Sequence, residues 1–161
     1  EHPVIIRVPT EEVSEDIVFE DFDGQINKFK MVDEQKDIAL VGLGKFLDIA
    51  KDVQKILNEK YNLSASVINP VYSNGFDIEF LNNLKQSHKL VVTFENAVLD
   101  GGFGEKIARF YGPTKMRVLN FGANKEFTEQ VPIAELKERY HLTPELASQD
   151  IADVFENIIN D

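Results

Sequence analysis

The chain has 161 residues, 43% of them hydrophobic and 28% charged, a composition typical of one compact globular domain with a buried core. Twenty-eight acidic residues against 17 Lys and Arg give a net charge of −11, which disfavours nucleic acid and anionic membranes as partners, and no apolar run approaches the roughly 18 residues of a membrane span. The absence of cysteine excludes disulfides, thiolate nucleophiles and thiolate metal sites and is consistent with a reducing, cytoplasmic location.

The first 24 residues differ in pattern from the remainder. Residues 1–9 contain the apolar, β-branched run PVIIRVP, which is typical of a strand. Residues 10–24 contain seven acidic side chains and end in Asp-Gly, which indicates an exposed connector. We therefore expect residues 1–9 to be the last strand of a preceding domain, residues 10–24 to be an acidic linker, and residues 25–161 to form a second, complete domain of a longer protein.

Strand and helix patterns alternate through that second domain. Residues 26–32 alternate lysines with Phe29 and Met31, which predicts a half-exposed strand. Four later runs are almost continuously apolar, as expected for strands that are covered on both faces: 38–44, 64–69, 89–95 and 115–121. Amphipathic helical patterns separate these four strands. The fold class predicted is α/β, a three-layer sandwich with a five-stranded, mostly parallel sheet and residues 26–32 as an antiparallel edge strand.

The chain closes with a further amphipathic pattern that includes Ile151, Val154 and Phe155. Thr143-Pro144 lies just upstream and is a plausible helix start signal. We therefore expect one last helix that follows the sheet.

Side chains that carry out chemistry are sparse. His2, His88 and His141 lie far apart in the sequence, with no carboxylate or hydroxyl at a triad or metal-ligand spacing, and we interpret them as surface or helix-end residues. The chain contains no nucleophile elbow, no zinc-binding helix motif and no phosphate-binding loop motif. The acidic linker lacks the order of a calcium loop, and no metal site is predicted.

Three of the nine glycines stand where a predicted strand meets a predicted helix: Gly101, Gly102 and Gly104, in the run ENAVLDGGFG. A helix that begins at glycines offers free backbone N–H groups and a positive dipole end, which attract anions. Glycines also allow a tight turn and close packing of a helix on a sheet. The turn is therefore either an anion-binding site or a packing and interface feature, and the sequence leaves both open.

Five segments, in order, resemble the C-terminal part of thiamine diphosphate enzymes of the transketolase class. The segment LVVTFENAVLDGGFGEKIARF is similar to the strand, GGFG turn and helix of 1-deoxy-D-xylulose-5-phosphate synthases. HPVIIRVP is similar to the strand that ends the pyrimidine-binding domain of that family. DIALVGLGKFLDIAKDVQKIL, ASVINPVYSNGFD and the run from VLNFGANKEF to SQDI resemble its later landmarks.

The resemblance implies the fold predicted above, a homodimer, and an active site that this domain borders. The family condenses pyruvate with glyceraldehyde 3-phosphate, with loss of carbon dioxide, and uses thiamine diphosphate and magnesium. The groups that bind these cofactors belong to an N-terminal domain and a pyrimidine-binding domain, which this chain lacks. The resemblance therefore implies partners in those two missing domains, no catalytic residue and no cofactor in this fragment, and cofactors only in the full-length parent.

The chain departs from the family pattern at three places. The family pattern at this strand, I-R-Y-P-R-G, contains two arginines, and the second is associated with the substrate phosphate. Arg7 matches the first arginine, whereas Thr10 stands at the position of the second. Residues 71–77 lose two cations and a proline of the family, and a pair of acids is replaced by Glu95-Asn96. Three hypotheses follow: a synthase-like transferase fragment, a divergent non-catalytic dimerisation module, and a free-standing phosphate-binding protein.

Overall fold

The structure is a computed structural model that describes residues 3–5 and 26–160. The elements in chain order are β1 (Lys30–Asp33), β2 (Asp37–Gly42), α1 (Phe46–Tyr61), β3 (Ala65–Asn69), α2 (Ile78–Leu84), β4 (His88–Val98), α3 (Phe103–Tyr111), β5 (Arg117–Ala123), α4 (Ile133–Arg139) and α5 (Pro144–Asn160). Among these described residues, none of the helices combines the length and apolar character that crossing a membrane requires.

The five strands form one sheet in the order β1-β3-β2-β4-β5. β1 pairs with β3 in the antiparallel sense, and the other three pairings are parallel. The predicted fold class, including the antiparallel edge strand, is therefore confirmed. In a parallel sheet the carboxyl ends of all strands lie along one edge, so the loops after β2, β3, β4 and β5 share that edge. We call it the carboxyl edge, and the opposite side the amino edge.

Helices cover both faces of the sheet, which explains why its central strands are apolar without interruption. Ile38 and Leu40 of β2 lie in the core cluster that contains buried residues of α1 and α5. The intervening Ala39 and Val41 lie in the cluster that contains residues of α2 and α3. Alternate side chains of one strand thus enter two separate cores, as the pleat requires.

Several predicted boundaries shift. β1 begins at Lys30, four residues later than predicted, and β5 spans 117–123 instead of 115–121. The late start of β5 follows from a turn in which the Thr114 hydroxyl accepts a hydrogen bond from the Met116 N–H at 3.2 Å. β4 runs on to Val98, which pairs with Ala123 beyond an irregularity. α4 was not predicted, because it has no buried residue and therefore no apolar stripe.

The last helix is confirmed as α5, with the backbone carbonyl of Thr143 accepting from the Ala147 N–H at 3.0 Å. The predicted strand of residues 1–9 and the linker of residues 10–24 lie almost entirely outside the described residues. Of them only residues 3–5 are described; they are exposed and have no regular secondary structure. The domain boundaries therefore stay predictions.

Candidate functional site at the carboxyl edge

The glycine turn lies at the carboxyl edge, between β4 and α3. The chain leaves β4 at Val98, turns through residues 99–102, and enters α3 at Phe103 with Gly102 as the N-cap residue. Gly101 has φ of 75°, a left-handed conformation that glycine adopts at little cost. This conformation allows the chain to reverse direction within a few residues.

A buried carboxylate occupies the start of α3. Glu95 has only 1% of its surface exposed. One of its oxygens accepts a hydrogen bond from the Phe103 N–H, and the other accepts from the Gly104 N–H, both at 2.8 Å. The first N–H groups of a helix have no partner within the helix and lie at its positive dipole end. Glu95 therefore acts as an internal anion that satisfies two of them.

The neighbouring N–H groups of this turn are also satisfied within the chain. The Gly101 N–H donates to the carboxylate of Glu105, and the Gly102 N–H donates to the Leu99 carbonyl at 3.0 Å. All four N–H groups of residues 101–104 thus have acceptors. The geometry favours the packing interpretation of the glycines, and binding of an external anion at this turn stays a prediction.

Close approach explains why two of these residues lack a side chain. A Cβ atom at Gly102 would lie 2.6 Å from a Glu95 carboxylate oxygen. A Cβ atom at Gly104 would lie 2.5 Å from the Thr93 hydroxyl and 2.7 Å from the side-chain carbon Cγ of Asn120. Real Cβ atoms do not approach heavy atoms so closely, so glycine is what allows α3 to pack against β4 and β5.

A second buried carboxylate lies at the start of α2. The two oxygens of Asp77 accept hydrogen bonds from the Phe80 N–H at 3.1 Å and the Phe29 N–H at 3.2 Å. The Lys28 ammonium nitrogen lies 3.5 Å from Asp77. Asp77 therefore caps α2 and also fixes the segment that leads into the edge strand β1.

The loop between β3 and α2 contains a strained residue. Val71 has φ of 61°, which is unfavourable for a β-branched side chain, and it is 44% exposed. Its N–H donates to the Asn69 side-chain oxygen at 2.9 Å, which holds the turn. Strained residues of this kind often lie where a protein binds a partner or ligand.

The amino edge contains a different polar cluster, which the sequence did not predict. His88 is buried and so is not a surface residue, but it contacts the carbonyl of Leu84, the last residue of α2, as the helix-end alternative predicted. Its Nε2 lies 2.9 Å from the Ser66 hydroxyl, and its Nδ1 lies 3.2 Å from the Leu84 carbonyl. Burial lowers the pKa of His88, although hydrogen bonding to the Leu84 carbonyl and the charge of Asp37 oppose the shift. The ring is then neutral, with its proton on Nδ1 donated to Leu84 and with Nε2 accepting from Ser66.

This serine and histidine pair does not have the arrangement of a nucleophilic site. Ser66 is fully buried, and its hydroxyl already accepts a hydrogen bond from the Gln35 N–H at 2.8 Å. The Nδ1 of His88 contacts a carbonyl and the Ser87 hydroxyl instead of a carboxylate. The cluster joins β3, β4 and the end of α2 and is a structural element. His141, in contrast, follows α4 and is exposed, and its Nδ1 lies 2.6 Å from Oδ2 of Asp150.

Comparison with known proteins agrees with this topology. The family model for the transketolase C-terminal domain matches residues 27–146. The chain belongs to the transketolase C-terminal domain family. This match contains all of the sheet, the Glu95 cap and the glycine turn, and it ends within α5.

Curated relatives of this domain are 1-deoxy-D-xylulose-5-phosphate synthases. The protein from Symbiobacterium thermophilum is 36% identical over 126 residues, which are 77% of this chain and 19% of that protein. The protein from Clostridium tetani is 26% identical over 154 residues, which are 94% of this chain and 24% of that protein. The chain therefore spans about a fifth to a quarter of the length of these relatives.

Solved structures share the fold. One, described as a split gene transketolase in an inactive beta4 tetramer, aligns with a TM-score of 0.68 and 26% identity over 92% of this chain and 45% of its own. A transketolase from Pichia stipitis aligns with a TM-score of 0.60 and 18% identity over 84% of this chain and 19% of its own, which supports the fold alone.

The predicted site residues are distributed unevenly. Gly101, Gly102 and Gly104 come together with Glu95, a residue that the sequence distinguishes as a departure from the family pattern but does not predict in the site. Arg7 and Thr10 lie outside the described residues, and their relation to a substrate phosphate stays a prediction. A signal for Glu95 was present in the sequence, because a lone acid at the end of an apolar strand, just before a glycine turn, is suited to cap the helix that follows.

Proposed function

We propose that this chain is the C-terminal part of a thiamine diphosphate-dependent transferase that resembles 1-deoxy-D-xylulose-5-phosphate synthase. The observation that carries the proposal is the 36% identity to such a synthase over 126 residues. In the parent this domain supports assembly with the N-terminal and pyrimidine-binding domains, and with a second copy in a homodimer, and it borders the active site. The parent acts in the cytoplasm.

The carboxyl edge is the surface that we assign to these contacts. Phe127, in the loop after β5, is completely exposed, and Val98, at the end of β4, is 39% exposed. The strained Val71 lies on the loop after β3 at the same edge. Apolar exposure and backbone strain together favour a surface that another part of the parent covers.

We assign a structural role to the described residues of the carboxyl edge. Within residues 26–160, no group of three or more His, Cys, Asp or Glu side chains is placed to hold a metal ion. The two buried carboxylates of the carboxyl edge are both used as helix caps. We therefore derive no chemical step through thiamine diphosphate or magnesium from this chain, and assign both cofactors to the other domains of the parent.

The test is expression of the complete open reading frame that encodes this chain. The product is incubated with thiamine diphosphate, magnesium, pyruvate and glyceraldehyde 3-phosphate, and both carbon dioxide release and the five-carbon sugar phosphate are measured. We expect both products in equal amounts from the full-length product, and neither from the 161-residue chain alone. A full-length product that binds thiamine diphosphate but condenses no aldehyde contradicts it.

A second candidate is a non-catalytic assembly module of the same ancestry. It is favoured by the similarity to the split gene transketolase described as an inactive beta4 tetramer. Sedimentation and activity together separate the candidates. Homo-oligomers of a full-length product without turnover support the module, whereas turnover supports the transferase.

We further infer that Thr10 weakens recognition of a phosphorylated aldehyde. A guanidinium binds a phosphate with two charge-assisted hydrogen bonds, and a threonine hydroxyl offers one neutral bond, a difference of roughly 1.5 to 3 kcal/mol. Thr10→Arg in the full-length enzyme should raise kcat/KM for glyceraldehyde 3-phosphate and leave unphosphorylated glyceraldehyde unchanged. Equal kinetics of the two proteins on both aldehydes would remove Thr10 from the phosphate site.

A further inference from the structure

A groove on the α2 and α3 side of the sheet combines aromatic and cationic side chains. It lies between the loop that leads into α2 and the outer surface of α3, and its volume is about 330 Å³. Clefts that bind small molecules have volumes of about 300 to 1,000 Å³. The lining residues of this α3 groove are Asn74, Phe76, Lys106, Arg109 and Phe110.

The apolar wall of the α3 groove is formed by two phenylalanines. The rings of Phe76 and Phe110 meet edge to face with centroids 5.4 Å apart. Both side chains are half-buried, so part of each ring is accessible at the groove. The Lys85 ammonium nitrogen lies 5.7 Å from the centroid of the Phe110 ring, which places a third cation at this wall.

Both phenylalanines are held by buried neighbours in sequence. Asp77 follows Phe76 and is fixed by its hydrogen bonds to two backbone N–H groups. Tyr111 follows Phe110, and its buried hydroxyl donates to the Leu81 carbonyl at 2.7 Å, which connects α3 to α2. The aromatic wall is therefore formed before any ligand arrives, and preorganisation of this kind reduces the entropic cost of binding.

The two cations that line the groove have no ion-pair partner among the described residues. Lys106 and Arg109 are three positions apart on α3 and lie on one side of the helix. Both are exposed, and neither makes an ion pair with any residue in the described part of the chain. In a chain with a net charge of −11, two adjacent cations that pair with no carboxylate of residues 3–5 and 26–160 favour the binding of an anion.

We propose that the α3 groove binds a small organic phosphate that contains a flat ring. The Arg109 guanidinium can donate two hydrogen bonds to a phosphate, and the Lys106 ammonium supplies a second positive charge. The ring of the ligand packs on Phe76 and Phe110, and the Asn74 amide offers a polar contact beside them. The inference is independent of the proposed transferase activity.

The experiment is calorimetric titration of the 161-residue chain with adenosine monophosphate, inorganic phosphate and adenosine. We expect adenosine monophosphate to bind at least about tenfold more tightly than inorganic phosphate or adenosine, because only the nucleotide contacts both the aromatic wall and the two cations. Higher salt should weaken its binding. Lys106→Gln with Arg109→Gln should lower the affinity about tenfold or more, and Phe110→Leu should reduce it toward that of inorganic phosphate.

A matched control removes two charges elsewhere. Lys51→Gln with Lys55→Gln changes two exposed lysines of α1, on the opposite face of the sheet, and should leave the nucleotide affinity unchanged. If this control loses as much affinity as the groove variant, the attraction is nonspecific and the proposal fails. It also fails if the nucleotide binds wild type no better than phosphate does. Should Phe110→Leu unfold, the charge variant, in which only exposed residues change, decides.

Discussion

At the amino edge of the sheet the buried polar pair of Ser66 and His88 is neutral, whereas at the carboxyl edge two buried polar residues, Glu95 and Asp77, are carboxylates. The neutral imidazole of His88 and the Ser66 hydroxyl bond to each other and to backbone groups between strands. Glu95 and Asp77 instead accept from the first N–H groups of α3 and α2. Helices begin at the carboxyl edge, so positive dipole ends collect there and buried negative charge is stabilised.

This difference has a consequence for function. A change at the amino edge breaks a contact between strands, whereas a change at the carboxyl edge displaces the start of a helix and the turn before it. The carboxyl edge also contains the exposed Phe127 and the strained Val71.

Removal of the Glu95 carboxylate should be the most destabilising of these changes. Glu95→Ala leaves the N–H groups of Phe103 and Gly104 without their acceptor, which should lower the free energy of unfolding by about 3 kcal/mol. The measurement is urea denaturation followed by circular dichroism. Glu105→Gln is the control on the same turn; because Glu105 is exposed, its loss should cost less than about 0.5 kcal/mol. Equal losses of unfolding free energy in both variants would show that Glu95 does not stabilise the start of α3 more than an exposed acid does.

Addition of a methyl group at Gly104 should come next. Gly104→Ala drives a Cβ against Thr93 and Asn120, and the overpacking should cost about 2 kcal/mol. Gly112→Ala, at the other end of α3, meets no atom closer than 3.5 Å and should be neutral or slightly stabilising. Thermal melts of the two variants check this, and a Gly104→Ala protein as stable as wild type would mean that α3 does not pack as described.

The layers of the fold could be predicted from the sequence, whereas some strand boundaries and long-range contacts could not. Long apolar runs and helical periods predict the layers of the fold. The residues from Ile38 to Val41 are all apolar and enter two cores alternately, which requires a strand that is covered on both faces. The predicted boundaries of β1 and β5 were wrong because single side chains decide where these strands begin, as Thr114 does before β5. The Glu95 cap depends on the path of the turn, and the contact between Ser66 and His88 joins residues that are 22 positions apart. No local pattern encodes the contact between Ser66 and His88, whereas the Glu95 cap has a local signal in the acid that stands between an apolar strand and a glycine turn.

At the amino edge, His88 should make stability depend on pH. Its pKa is lowered in the folded state by burial, so the unfolded chain binds more protons as the pH falls below about 6.5. The contribution of neutral His88 is therefore complete above about pH 6.5 and declines as the pH falls. His88→Gln should cost about 1.5 kcal/mol at about pH 7.5, and this gap should narrow by about pH 5.5. Urea titrations at both values test this, and a gap that widens at low pH contradicts it.

Relief of strain at Val71 should have the smallest effect. Val71→Gly removes a β-branched side chain from a left-handed conformation and should stabilise the isolated chain by up to about 1 kcal/mol. Val32→Gly is the control, because Val32 is comparably exposed, at 46%, but lies in strand β1, where glycine should destabilise. Thermal denaturation that shows the same sign for both variants would refute the strain at Val71.

Hydroxyl-radical footprinting of the isolated chain and of the full-length product tests most directly whether the carboxyl edge is the covered surface. Phe127 and Val98 report on this edge, and the half-buried Tyr61 and Leu63, which lie just before β3, report on the amino edge. We predict that oxidation of Phe127 and Val98 falls several-fold in the full-length product while Tyr61 and Leu63 are unchanged. Unchanged oxidation of Phe127 and Val98, or protection confined to Tyr61 and Leu63, would contradict the assignment of this edge to assembly.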